Sequence, residues 1–551
     1  LQSNTTGSKN TASGLYSLKS NTTASYNTAF GSCTLYANTT GADNTGVGYK
    51  TLVSNTTGTS NTAVGYATLL SNTTGSYNTA SGWKALDANT SGSYNIASGL
   101  CSMLSTTTGN YNTASGSFSL NGNTTGSRNV ALGYRALESN TTACYNTAVG
   151  MYALQSSTTS HCNTAIGYCA LKTNTTGTNN TASGSYALAA NTTGCKSTAM
   201  GVCALRSNTT GWGATSSGWY ALGQNTTGCF NTAVGARALG DSTTGHRNTA
   251  LGGWSLRTNT TGYENTASGY YVLNKNTTGS RNTASGRSAL QSNTGGSNNV
   301  ATGAYALYNN TTGCQNIAIG YYAGNCTTTA CYNVFMGGFA GQCNTTGHFN
   351  TGIGKNALAV TSTGVSNVAL GYAAGDTITS GSCNVALGHG ADASAAVCNA
   401  VAIGYGVCAT ASNYTCIGNT STVCSVVPNL STNCLTTGAF MESNLRSVEI
   451  KEQPTGAVLI WEDGASKPCE MEYDVRVLGI VGEDSEDPII LGAEPVLITG
   501  VITEGDFIVT SEKIGHGKKG VSNNMFGKVI AQALEDGEGD SYTVKAMIRK
   551  M

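Results

Sequence analysis

The chain has 551 residues and a mass of 56.0 kDa, and its 72 Gly beside only 5 Pro show that small side chains dominate. Charged residues make up 10%, against about 25% in ordinary soluble domains, which does not suit a disordered chain kept solvated by net charge or Pro. No window approaches the roughly 20 apolar residues of a spanning helix, which excludes a helical integral membrane protein. The net charge of zero hides a split: residues 1–427 carry 16 basic and 7 acidic side chains, whereas residues 428–551 carry 11 and 20, together with all five prolines (Pro428, Pro454, Pro468, Pro488, Pro495). Two regions built on different rules share the chain. It opens on Leu1 with neither an initiator Met nor a secretory signal, so an N-terminal piece is expected to be missing or removed.

A repeat settles the architecture of the first region. Gly14, Gly31, Gly48, Gly65 and Gly82 are 17 apart, and the spacing runs unbroken to Gly388, giving 23 glycines in register. Asn stands four residues before 21 of these 23 glycines, with Ser197 and Ala214 as the exceptions. Thr, Val or Ile follows, then usually Ala, and Leu mostly lies four residues beyond the Gly (Leu18, Leu35, Leu52). The unit reads N-T-A-x-G-x-x-A-L-x-x-N-T-T-G-x-x. Seventeen residues are too few for a helical-hairpin repeat, and the Asn, Gly and Thr content disfavours helix. The pattern predicts a parallel β-solenoid with one repeat per coil: N-T-A-x as a strand ending at a Gly bend, A-L-x-x as a second strand, and N-T-T-G-x-x as the return turn. Stacked at about 4.8 Å, 23 coils make a rod of roughly 110 Å. The Asn column is expected to hydrogen-bond along the axis as a polar ladder.

Within the strand, Thr and the residue before Gly point one way and Ala the other. The residue before Gly is mostly Ser, Val, Leu, Ile, Met or Phe (Ser13, Phe30, Val64, Leu132, Ile166, Met200). One Ala and one Leu per coil are too little for a wide core, so this second column is expected to be buried between chains in a homotrimer, intertwined or side by side. The alternative is a single-chain solenoid with a wet second face.

From Asn399 the rhythm shortens: NAVAIGYGVCATASNYTCIGNTSTV places Gly404 and Gly418 14 apart. This stretch resembles the head repeats of trimeric autotransporter adhesins, which form a left-handed parallel β-roll as a trimer. The 17-residue units resemble a longer relative of those repeats, of a kind found in phage and viral fibres. The resemblance covers about residues 1–425 and implies architecture, not ligand. Residues 428–445 read as a connector. Over 446–551 GAVLIWEDG, YDVRVLGIVGE, PIILGAEPVLITGVIT, GDFIVTS, GKVIAQALED and SYTVKAMIRKM alternate with Gly/Asp turns, as in a compact all-β domain. The part from about residue 475 onward resembles C-terminal domains of phage appendage and tail-spike proteins, which act as intramolecular chaperones and in some cases cleave themselves. That resemblance implies a trimerisation or chaperone-like module, or the tip of the fibre. Such a module has a physical use, since a slip of one whole repeat restores almost every contact and a non-repetitive cap fixes the register.

No catalytic, cofactor-binding or metal-ligating residue is assigned. His161, His246, His348, His389 and His516 are scattered without HxxxH spacing, and no CxxC occurs among 19 Cys. Cys314/Cys331 and Cys326/Cys343 are each 17 apart, which sets each pair on adjacent coils within disulfide reach. Cys33, Cys101, Cys169 and Cys203 share one column but lie at least two coils apart, and most thiols read as free. Gly515-His516-Gly517-Lys518-Lys519-Gly520 matches GxGxxG formally, but a basic hairpin turn fits better than a dinucleotide site. The Asn-Thr-Thr sequons read more simply as a ladder than as glycosylation acceptors. Tyr26, Tyr77, Trp83, Arg128, Tyr134, Trp219 and Arg247 occupy variable slots, where aromatic rows suit sugar binding or plain β-surface packing.

These features point to a non-enzymatic structural fibre protein: a trimeric tail fibre or appendage of a phage or virus, displayed on the virion surface after assembly in the host cytoplasm. Expected partners are the two sister chains, a virion tail or baseplate protein at one end, and a host-surface glycan or other receptor. No cofactor, nucleic acid or membrane insertion is expected. Alternatives are a bacterial trimeric surface adhesin, an ice-binding β-solenoid, and self-cleavage by the C-terminal domain.

Overall fold

A computed structural model describes residues 1–418 and, beyond them, nine strands between residues 458 and 548. It is all-β, and the chain divides into two compact units, Leu1–Ser425 and Val426–Met551.

The first unit is the parallel β-solenoid that the repeat predicts. Three-residue strands recur every 17 residues from β1 (Thr11–Ser13) to β23 (Val385–Leu387). They stack in register, Thr on Thr and Ala on Ala, as in Thr11↔Thr28 and Ala12↔Ala29. The sheet continues through β25 (Val401–Ile403) and β27 (Thr415–Ile417) to 25 strands, as the coil shortens to 16 and then 14 residues between Gly388, Gly404 and Gly418.

The expected second strand is not there in the 17-residue coils. The A-L-x-x segment is a run of turns, and its Leu and the residue two before that Leu take left-handed backbone: in one coil Leu69 (φ 52°) and Ala67 (φ 49°). A third, Tyr77 (φ 59°), precedes the next strand Asn. Such φ values are costly for non-glycine residues and persist only where the surroundings over-determine them. Backbone bonds to both neighbouring coils supply that here: Ala67 N–H donates to Tyr49 O (2.9 Å), Leu69 N–H to Ala85 O (3.0 Å), Ser71 N–H to Asp87 O (2.9 Å) and Tyr77 N–H to Thr59 O (3.0 Å). Hydrogen bonding between coils therefore extends well past the strand. Only in the shortened coils does a second strand form, where β24 (Asp392–Ala393) pairs in parallel with β26 (Cys408–Ala409).

The bend glycines have φ between 113° and 138°, a region essentially closed to other residues. A Cβ on Gly65 would also lie 2.3 Å from Gly82 O in the next coil.

The core is narrow, and each coil closes it without a partner chain. Strand Ala (Ala63), turn Leu (Leu69) and, in most coils, a second small residue before that Leu (Thr68, Ala85) are fully buried. Beside them lie two columns of fully buried Asn, the strand Asn (Asn44, Asn61, Asn78) and the turn Asn (Asn38, Asn55, Asn72). These amides fill the interior that Ala and Leu alone would leave open. Asn61 uses every hydrogen-bonding group it has: Nδ2 donates to Asn44 Oδ1 (3.0 Å) and Gly75 O (2.9 Å), while Oδ1 accepts from Asn78 N–H (3.0 Å) and Nδ2 (3.1 Å). In the second ladder Asn72 Nδ2 donates to Asn55 Oδ1 (2.7 Å) and to the same Gly75 carbonyl (2.9 Å). One carbonyl per coil thus ties the two ladders together.

Some departures from the repeat come in sets. The Leu position is Gly324 and Gly341 in two successive coils, and between them Phe335 replaces the strand Ala, fully buried. A Cβ on Gly341 would meet the Phe335 ring at 2.3 Å, and one on Gly324 would meet it at 3.1 Å. The Phe335 ring takes up part of the space that the two missing leucines would fill.

In the second unit β28 (Val458–Glu462), β29 (Ala465–Pro468), β30 (Val477–Val481) and β31 (Pro488–Ile489) form an antiparallel four-stranded sheet. The strands β32 (Ala493–Thr499), β33 (Phe507–Thr510), β34 (Gly517–Lys519), β35 (Val529–Ala533) and β36 (Tyr542–Ile548) close a barrel. Gly517–Lys519 of the GxGxxG match is thus a strand, antiparallel to β33, and does not open a helix. The 428–445 connector lies outside the described residues.

The ladder and the Phe335 set can each be tested by substitution. Asn61→Ala orphans the Asn78 donors and should cost about 1–3 kcal/mol per unsatisfied group, whereas the exposed neighbour Thr62→Ala should be near neutral, both read by urea titration of the far-UV signal. Phe335→Ala should cost about 3–5 kcal/mol; Gly341→Leu alone should also destabilise by clashing with the ring, and the double variant should recover most of the loss.

Candidate functional site

With the interior largely committed to ladders, most of the variation falls on outward rows. Three such rows or edges run the length of the solenoid.

The first is the outer face of the sheet. On each strand the central residue is buried and its two neighbours point outward, as the period-two rule requires. Exposed side chains in the column before the bend glycine include Phe30, Val64, Leu132, Ile166, Met200, Val234, Leu251 and Leu370, at 37–52% exposure. From Ile319 through Met336, Ile353 and Leu370 to Leu387 this column is apolar in every coil. In the single chain it meets solvent.

The second is the edge just after the bend glycine, which carries Trp83, Tyr134 and Trp219. Rings stack from coil to coil, Tyr49 on Tyr66 (5.4 Å) and Tyr66 on Trp83 (6.2 Å), while Tyr134, Tyr152, Tyr168 and Tyr186 zigzag edge to face at 5.2–6.3 Å. The hydrogen bond with Tyr186 pushes the Tyr168 hydroxyl up to about 12. Cations are threaded through this edge: the Arg237 guanidinium lies 4.8 Å from Trp219, 5.4 Å from Tyr220 and 5.2 Å from Trp254.

The third edge, just before the strand Asn, carries Tyr26, Tyr77, Arg128 and Arg247. Tyr77, Tyr94 and Tyr111 stack at 4.8 and 4.9 Å with planes within 9°. Arg128 continues the stack, its guanidinium 5.9 Å from Tyr111 and 5.2 Å from Tyr145, with a hydrogen bond to the Tyr145 hydroxyl. Farther along, Glu264 sits between Arg281 (3.1 Å) and Arg247 (3.2 Å), which hold its carboxyl below the usual range. The seven aromatic and Arg positions singled out in the sequence therefore fall on two separate edges. In the parallel stacks the rings cover one another's faces and present edges and hydroxyls, so interior members offer no open platform for sugar stacking.

The described histidines belong to these rows. His161 and His348 accept the backbone N–H of Cys144 and Cys331 through Nδ1 (3.0 Å each), His246 stacks on Tyr263 (5.3 Å), and His389 lies between Tyr372 and Tyr405 (4.9 and 5.0 Å). Among the described residues no three His, Cys, Asp or Glu side chains converge to hold a metal ion, and no helix is long and apolar enough to cross a membrane. His516 lies outside the described residues. The sequon Asn residues of the turn are buried, and their Nδ2 atoms, where a glycan would attach, are spent on the ladder. The Thr pair beside them divides: Thr56 is half-buried with Oγ1 donating to Thr73 O (3.1 Å), while Thr57 is exposed. Cys33, Cys101, Cys169 and Cys203 are free thiols in one column.

One buried titratable group was not legible in the sequence. Asp392, 6% exposed, opens the short second sheet, where its carboxylate accepts the N–H of Thr377 (3.0 Å) and of Ala393 (2.8 Å). Burial, with the neighbouring Asp376 carboxyl, pushes it up to about 6. No known protein family and no curated protein sequence matches the chain.

Because Asp392 binds its proton more tightly in the folded coil than the ordinary 3.8, the stability it contributes is full below pH 3.8 and is lost as pH rises toward 6. Hydrogen exchange over residues 376–409, corrected for intrinsic rates, should show this junction loosening between pH 4 and 6.5, and Asp392→Asn should abolish the trend.

Proposed function

We propose that the chain is a structural fibre protein, in which three copies pack side by side into a rigid rod that carries a receptor-recognising surface, as in a phage or viral tail fibre or appendage. The observation that carries the reading is the outward column before the bend glycine, apolar in 14 of the 23 coils and without a break from Ile319 to Leu387, on an otherwise self-sufficient coil. Soluble monomers seldom leave so extended an apolar strip uncovered. A sheet face roughly 110 Å long and about 10 Å wide offers about 1,000 Å² per contact, the scale of a stable protein interface. Repetition serves the same reading, because a straight in-register sheet gives three chains the same contact at every coil.

Recognition in such a rod needs no catalytic group. Weak contacts from the two variable edges, repeated along three chains and held at fixed spacing, add through avidity. Candidate partners are a host-surface glycan or other receptor, and a virion tail or baseplate protein at one end.

The full chain at micromolar concentration should run as a trimer by light scattering and resist dissociation by SDS until boiled. Ile353→Lys with Leu370→Lys, which puts charge on the apolar strip without touching the core, should yield monomers with an unchanged far-UV spectrum. A monomeric parent chain would overturn the reading.

A further inference from the structure

The two same-column cysteine pairs sit beside a break in the turn-Asn ladder. The turn-Asn ladder is interrupted at Thr327, whose Oγ1 is buried without a partner, as is Oδ1 of Asn310 in the preceding coil. In the following coil Asn344 Nδ2 reaches only its own Gly347 carbonyl (3.0 Å). No side-chain bond of this ladder therefore crosses either step around Thr327. The same coil and the next lack the core Leu, having Gly324 and Gly341 instead. At Ser242, where the ladder has a similar gap, the core Leu239 is retained and fully buried.

Cys314 and Cys331 span the step below the Thr327 coil, and Cys326 and Cys343 span the step above it. All four are free, three half-exposed and Cys343 exposed. In the first pair the Cys314 N–H donates to Cys331 Sγ at 3.0 Å, and both thiols donate to the carbonyl two residues before them, Thr312 O (3.2 Å) and Thr329 O (3.6 Å). The side chains thus take parallel orientations one coil apart, where Cα atoms stacked at about 4.8 Å fall inside the range a disulfide spans. Neither pair lies on the outer face of the strands, so the inference does not rest on the fibre reading.

We infer that Cys314–Cys331 and Cys326–Cys343 are oxidative modification sites, closing as two inter-coil disulfides that staple the coils on either side of Thr327. With glutathione disulfide as oxidant, one thiolate of a pair attacks a glutathione sulfur, the S–S bond breaks and glutathione thiolate leaves. The second protein thiolate then attacks the mixed disulfide at the protein sulfur and releases a second glutathione. Each pair loses two electrons and two protons, and each glutathione disulfide becomes two glutathione molecules. Burial pushes the Cys331 and Cys326 thiols up, opposed at Cys331 by the hydrogen bond from the Cys314 N–H, so closure accelerates with rising pH.

The test treats the full chain with glutathione disulfide at mildly alkaline pH, alkylates remaining thiols and digests it with trypsin. Residues 288–355 contain no internal Lys or Arg and hold all four cysteines in one peptide. The expected result is a peptide lighter by four hydrogens with no alkyl group. In Cys331→Ser the loss should be two hydrogens, with the alkyl group on Cys314 alone. Disulfide closure should also raise the midpoint for thermal loss of protease resistance, an increase that the double variant Cys331→Ser/Cys343→Ser lacks. Stable glutathione adducts, alkylation of all four thiols, or an alkyl group on Cys343 in Cys331→Ser would each overturn the proposal; the parent digest alone decides the first two if the variants fail to fold.

Discussion

One carbonyl per coil carries much of the organisation of the solenoid. The Gly75 oxygen accepts Nδ2 of Asn61 from one ladder and Nδ2 of Asn72 from the other, so two columns of buried amides share a single acceptor. Burying so many primary amides is favourable only if nearly every donor and acceptor is used, and a parallel stack of identical coils meets that condition because each residue finds its own kind directly above and below. The ladders also have a direction. In both of them the amide-to-amide bonds run from Nδ2 toward the Oδ1 of the preceding coil, as from Asn61 to Asn44 and from Asn72 to Asn55. An interruption therefore orphans the Oδ1 of the residue before it, as at Asn225 before Ser242 and at Asn310 before Thr327.

That constraint divides the coil into a fixed interior and a free exterior. The bend glycine, the two Asn, the strand Ala and the turn Leu are held by contacts with both neighbouring coils, and some of their departures come in sets in which one side chain partly offsets another. Phe335 facing Gly324 and Gly341 is one such set. Ile378, buried beside Gly375 with its Cδ1 3.2 Å from where a Cβ would stand, is another. The exterior follows a looser rule. Aromatic rings and Arg groups placed 17 residues apart stack because the backbone sets them one rise apart, and stacking hides ring faces while leaving edges, hydroxyls and charges to solvent. A surface of this kind offers polar and cationic contacts at regular intervals.

The same regularity makes register the central difficulty of folding. A slip of one repeat preserves the ladders almost everywhere, and it is penalised where the repeat is broken, as at Ser197 and Ala214, at Ser242 and Thr327, at Phe335 with its paired glycines, at Ile378 with Gly375, and at the shortened coils after Gly388. These irregularities supply the register information that the repeat lacks.

Periodicity alone determined the solenoid, its in-register parallel pairing, the bend glycines and the existence of an Asn ladder, because a 17-residue repeat of short β-branched and turn residues has few other ways to bury itself. The sequence also placed Cys314 one coil from Cys331 and Cys326 one coil from Cys343 by arithmetic. What it left open was decided by three-dimensional closure. A-L-x-x looks like a strand by composition, yet Leu69 must take left-handed backbone to turn its side chain inward within so short a coil. The turn Asn reads as a ladder residue in the sequence, but that this ladder completes the core follows only from closure, because the return turn folds over the interior and its amide meets the same carbonyl as the strand Asn. Only that closure distinguishes a polar residue on the surface from one whose every hydrogen bond is made inside.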